Sequence, residues 1–156
     1  HKMYTTVLAL HSIFRWLVLI SLVIAIFQAY KGWILKKPFL SKDNAIRHWT
    51  ATIAHVQLMI GLWLYFVSPP MDYFMKNFKE AVHQKDIRFF GMEHSIMMVV
   101  AIVLITIGSV IAKRKSTDQD KFKTVAIWFS IGLIIILISI PWSFSPFVSR
   151  PNFRSF

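Results

Sequence analysis

Four stretches of this chain stay apolar for about 20 residues, and no other feature constrains the fold as strongly. They run over about 4–30, 45–67, 89–112 and 124–140. A helix needs about 20 mostly apolar residues to cross the hydrocarbon core of a bilayer. Within lipid a segment must satisfy its own backbone polar groups, which a helix does. Hydrophobic residues make up 56% of the 156 and charged residues 16%, where a soluble domain carries about 25% charged. A soluble fold of this size could not hide that much apolar surface. The pattern predicts an all-α integral membrane protein, an up-and-down four-helix bundle formed by one domain over 1–156. His1 and Lys2, ahead of Met3, read as a remnant before the natural start.

Helix breakers agree with these limits. Pro38 lies in the first connection, and Ser41, Asp43 and Asn44 offer capping oxygens before the second helix. Ser68-Pro69-Pro70 stops that helix, and Pro141 stops the fourth. The first (31–44) and third (113–123) connections are short and basic. The second (68–88) carries Met71, Tyr73, Phe74, Phe78, Ala81 and Val82, at a spacing that predicts a short interfacial amphipathic helix.

The net charge is +11. The cations lie mostly between the apolar runs, where they meet anionic lipid, and they are not interleaved with aromatics as in a nucleic-acid groove. No nucleic acid is expected as a partner; the lipid bilayer is. Lys31, Lys36, Lys37, Lys42, Arg47, Lys113, Arg114, Lys115, Lys121 and Lys123 flank connections one and three. Lys2, Lys76, Lys79, Lys85, Arg88, Arg150 and Arg154 mark the other side. Ten against seven places connections one and three in the cytoplasm and both termini outside. Cysteine is absent, which excludes disulfides, thiolate metal sites, iron–sulfur clusters and covalent c-type haem.

Ionisable groups inside lipid cost several kcal/mol and call for an explanation. The first helix holds His11 and Arg15, the second His55 and Gln57, and the third opens with Arg88, Glu93 and His94. At a rise of about 1.5 Å per residue, His11 lies roughly 12 Å and His94 roughly 9 Å from the same end. His55 lies roughly 20 Å in. In a bundle of sequential neighbours the first and third helices are diagonal. Two level imidazoles there can face each other across the core and act as axial ligands of one haem. Arg15, one turn from His11, and Arg88 are then candidates for the propionates. Each has a plainer reading, Arg15 as a buried ion pair with Glu93 and Arg88 as a snorkelling interfacial cation. A lone membrane histidine commonly just hydrogen-bonds a neighbouring helix.

A second reading gathers His11, His55 and His94 on one Zn or Cu ion with Glu93 as base. The deeper position of His55 opposes it, since such bonds tolerate no stagger of several ångströms. A third reading has no cofactor: a small subunit or assembly factor of a membrane complex. Gly61 and Gly108 read as points of close helix approach. Met92, Met97 and Met98 read as core filler, and the six tryptophans as an interfacial belt.

Several stretches carry a resemblance that spans nearly the whole chain. They are His11-Ser12-Ile13-Phe14-Arg15-Trp16, His55-Val56-Gln57 with Gly61, Leu64-Tyr65-Phe66-Val67-Ser68-Pro69, Arg88-Phe89-Phe90 with Glu93-His94, and Ile140-Pro141-Trp142. Together they resemble small bacterial four-helix membrane proteins labelled cytochrome B-like. Ser143 stands where that pattern has proline. The resemblance implies non-covalent haem b, electron transfer, and a place in the bacterial inner (cytoplasmic) membrane. On this reading the partners are a quinone, used at His55 and Gln57, or a respiratory-chain or other membrane protein. The fourth helix has no histidine, so one haem is expected.

Overall fold

A computed structural model describes residues 2–67, 73, 75–84 and 93–140. Its helices are α1 (Lys2–Ile34), α2 (Ser41–Val67), the single turn α3 (Phe78–Ala81), α4 (His94–Arg114) and α5 (Asp118–Ser139). No strand occurs among the described residues. α1, α2, α4 and α5 are each long and apolar enough to cross a membrane. Their most apolar windows are only 22, 22, 33 and 44% buried within the chain. Large side chains such as Ile20, Phe27, Met59, Val103 and Ile134 point outward. In water that surface would drive association; in a bilayer it is the lipid face. The chain is a multi-pass membrane protein.

α1 packs against α2 and α5, and α4 packs against the same two helices. α1 and α4 therefore stand on one diagonal of a four-helix bundle, and α2 and α5 on the other. Main core residues are Leu22 on α1, Ala101 and Ile105 on α4, and Phe129 on α5, all fully buried. Gly108 on α4 faces Trp128, whose Cβ and Cγ occupy the space a side chain at 108 would need. Small residues at such contacts let membrane helices approach closely.

Local chemistry sets the helix ends. α1 closes where Lys36 takes a left-handed conformation (φ 52°) and the Lys37 amide donates to the Gly32 carbonyl at 3.0 Å. This is a Schellman stop with lysine in the usual glycine position, and Pro38 follows. At the start of α2 the Leu40 amide donates to Asp43 Oδ2 at 2.9 Å, the N3 half of a capping box. α5 begins at Asp118, earlier than the apolar stretch indicates. Thr117 caps it by accepting from the Asp120 amide at 3.1 Å, and Asp118 and Asp120 sit in the dipole-favoured first turn. Within the segment 68–88, where an amphipathic helix is expected, the described residues Tyr73, Met75 and Lys76 are helical as well as the turn α3, with Ala81 buried and Phe78 exposed. Residues 68–72 and 85–92 lie outside the described residues, and so does the expected Pro141 stop.

Two expectations need correction. Arg47, counted above among the anchoring surface cations, is 6% exposed. Its NH1 donates to Ser109 Oγ at 2.6 Å, and its Nε and NH2 donate to Asn44 Oδ1 at 3.1 and 2.9 Å. It pins α2 to α4 through neutral acceptors. Trp16 and Trp128, assigned to the interfacial belt, pack against the core cluster instead.

Candidate functional site

His11 comes from α1 and His94 from the first turn of α4. Their imidazoles meet across the bundle diagonal, with ring centroids 6.4 Å apart and planes at 83°. Two imidazoles sharing one metal ion, each bonded at about 2.0–2.1 Å, have ring centres roughly 6 Å apart. The observed spacing fits one shared ion.

Each ring is also engaged from a neighbouring helix. His94 Nδ1–H donates to the Ser139 carbonyl at the end of α5, at 3.0 Å. That bond fixes the tautomer and puts the ring's lone pair on Nε2. A ligating histidine is commonly oriented through its other nitrogen in this way. His11 lies against α2. A Cβ built on Gly61 would come within 3.2 Å of His11 Cε1, so a bare backbone forms this wall. One turn away, Gln57 Nε2 donates to the His11 carbonyl at 2.8 Å. Both His11 Nδ1 and Gln57 Oε1 are buried with no hydrogen-bond partner among the described residues. A buried donor or acceptor left unsatisfied costs about 1–3 kcal/mol. A metal group between the two rings would be held by His11 and His94.

The other candidates fall at different places. Arg15 carries its guanidinium 5.1 Å from the Trp16 ring centroid, within cation–π range. Arg88 lies outside the described residues. Glu93 immediately precedes α4 and, one residue from His94, is turned about 100° away. His55 is exposed at mid-length of α2. Thr106 donates its hydroxyl proton to the Ile102 carbonyl at 2.7 Å, so His55 Nε2–H is the donor in the 2.7 Å bond to Thr106 Oγ1. Thr106 is twelve residues along α4 from His94, roughly 18 Å. The three-histidine Zn or Cu set with Glu93 is accordingly not assembled. Among the described residues no three His, Asp or Glu side chains come together to hold a metal ion. His48 and His83 are exposed.

Sequence reading missed Ser139, which acts through its backbone carbonyl and so has no residue-type signal. It also missed that Gln57 belongs with His11. The signal was present, because Gln57 and Gly61 are one turn apart and share a face.

Comparison with family models, with curated proteins and with solved structures finds no match to this chain. The class rests on its own fold and site: a four-helix membrane protein with a facing histidine pair inside the bundle.

Proposed function

We propose that this protein is a b-type cytochrome of the bacterial inner membrane, holding one haem b between α1 and α4. The observation that carries the reading is the approach of His11 and His94 from diagonal helices to a 6.4 Å centroid separation. Haem iron, when bound, supplies one-electron redox chemistry. His11 and His94 would hold it. Ser139 orients His94, and Gly61 gives the His11 ring room against α2. Arg15 and Arg88 supply positive charge for the propionates. Connections one and three face the cytoplasm and the termini the outside, a reading the cation bias supports. The electron donor is a membrane quinol, met at the His55–Thr106 face of α2 and α4. That face supports the assignment because it presents an imidazole at mid-span, where an exposed ionisable group is costly.

The test is a visible spectrum of detergent-purified protein from haem-replete cells. A Soret band, with a b-type α-band on reduction, is expected. His11→Ala and His94→Ala each abolish low-spin haem, and His55→Ala keeps it while slowing reduction by a quinol. Colourless wild-type protein from such cells overturns the reading in favour of a cofactor-free subunit. Full haem retention in both ligand variants overturns the ligand assignment.

A further inference from the structure

The two imidazoles at the diagonal are secured unequally. His94 has its Nδ1 proton placed on a carbonyl of α5. Among the described residues His11 Nδ1 is buried without a hydrogen-bond partner, and Gln57 Oε1 is a buried acceptor without one. These two vacancies belong to residues already joined, since the Gln57 amide nitrogen donates to the His11 backbone carbonyl at 2.8 Å. The Gln57 side chain also comes within interaction range of the His11 side chain. The contact at Gly61 confines the ring on the same wall, one turn along α2. A carboxamide has one donor end and one acceptor end. With the donor end fixed on the His11 backbone, the acceptor end is left for the same residue's ring.

We propose that Gln57 is the positioning residue for His11: it receives the Nδ1 proton and leaves the Nε2 lone pair for the ligand shared with His94. This rests on the haem reading for the identity of the ligand, but not for the contact itself. Each axial imidazole is then oriented by a neighbouring helix, His11 by α2 and His94 by α5, and all four spans contribute to one centre. A side-chain carboxamide is a tunable acceptor in a way that the Ser139 carbonyl is not. Removing it weakens electron donation by the imidazole, and a carboxylate in its place strengthens it.

The tautomer can be read without haem. In ¹⁵N-histidine-labelled wild-type protein in detergent, His11 is expected as the Nδ1–H tautomer, and Gln57→Leu loses that preference. With haem bound, Gln57→Leu raises the reduction potential and lowers haem affinity by about 10–100-fold, the usual effect of removing such a partner. Gln57→Glu lowers the potential. Far-ultraviolet circular dichroism confirms that both variants are helical. An Nε2–H tautomer in the wild type overturns the proposal. So do potentials that stay fixed, or move the same way, in the two variants at wild-type haem content. Wild-type protein that binds no haem yet shows the Nδ1–H tautomer, lost in Gln57→Leu, supports the grip of Gln57 and refutes the haem reading alone.

Discussion

Replacing Gly61 with alanine tests the wall behind His11, and the same change at Gly108 is its control. Within a helix alanine is favoured over glycine by about 0.8–1.0 kcal/mol, so both substitutions begin with the same gain. The surroundings then separate them. At 61 the new Cβ would lie 3.2 Å from His11 Cε1 and 3.8 Å from Nδ1. The imidazole must move by a few tenths of an ångström, which a ring hinged at χ1 and χ2 can do at small cost. Gly61→Ala should therefore leave stability unchanged or raise it by up to about 1 kcal/mol. At 108 the new atom falls on Cβ and Cγ of Trp128. Those atoms are fixed to the α5 backbone, so the helices must separate. Overpacking of this kind costs about 1–3 kcal/mol, and the net change is a loss of up to about 2 kcal/mol after the propensity gain. Unfolding in detergent followed by circular dichroism gives both numbers. The functional readout runs the other way: Gly61→Ala shifts the His11 ¹⁵N resonances and weakens haem uptake, and Gly108→Ala changes neither while folded. A Gly108→Ala protein stabilised by the full propensity gain of about 0.8–1.0 kcal/mol would refute the α4–α5 contact. Unchanged His11 resonances in Gly61→Ala would refute the α2 wall.

Three further outcomes follow from the helix ends and the buried cation. Ser109→Ala removes the 2.6 Å acceptor of Arg47 and should destabilise by about 1.5–3 kcal/mol, the range for hydrogen bonds to charged groups. In an Arg47→Met background the same change should cost under about 0.5 kcal/mol, and a double-mutant cycle measures that coupling. Lys36→Gly relieves the left-handed strain at the α1 stop and should raise stability by about 0.5–1 kcal/mol in thermal unfolding. Repulsion from Lys31 holds the exposed Lys37 ammonium below its ordinary pKa. The unfolded chain therefore binds more protons in the window between the lowered and ordinary values, and stability rises with pH there. Lys31→Gln should return Lys37 toward its ordinary value in an NMR titration, and added salt should shrink the difference.

The spans were legible because hydrophobic length and proline placement are local properties; α2 stops at Val67, directly before Ser68-Pro69-Pro70. The meeting of His11 and His94 was legible for a related reason, since a constant helical rise converts sequence distance into height. The early start of α5 was hidden because its first turn is polar and continues the basic connection; Thr117 and Asp120 are the signal that hydropathy overlooks. Arg47 was misread because one partner, Asn44, is three residues away, while the other, Ser109, lies on a helix whose rotation sequence does not give. The Ser139 carbonyl was invisible in principle, as every residue has one.

These particulars share a physical logic. The well-packed core runs from Val18 to Ala29 on α1 and from Ala101 to Ala112 on α4, and α5 contributes Phe122 to Ile140. Toward the other end the side chains facing across the diagonal are His11 and His94, and the wall beside them is Gln57 and bare backbone at Gly61. A bundle that needed only to be stable would continue its apolar packing to that end, because lipid-facing residues contribute no driving force between helices. Here Ala9, Leu64, Ile136 and Ile140, each within three residues of His11, Gly61 or Ser139, stay buried, and two imidazoles converge at the same end. The end of the bundle that carries His11 and His94 thus places polar groups, tied to α2 and α5, at interior positions, a cost that helix packing alone does not explain.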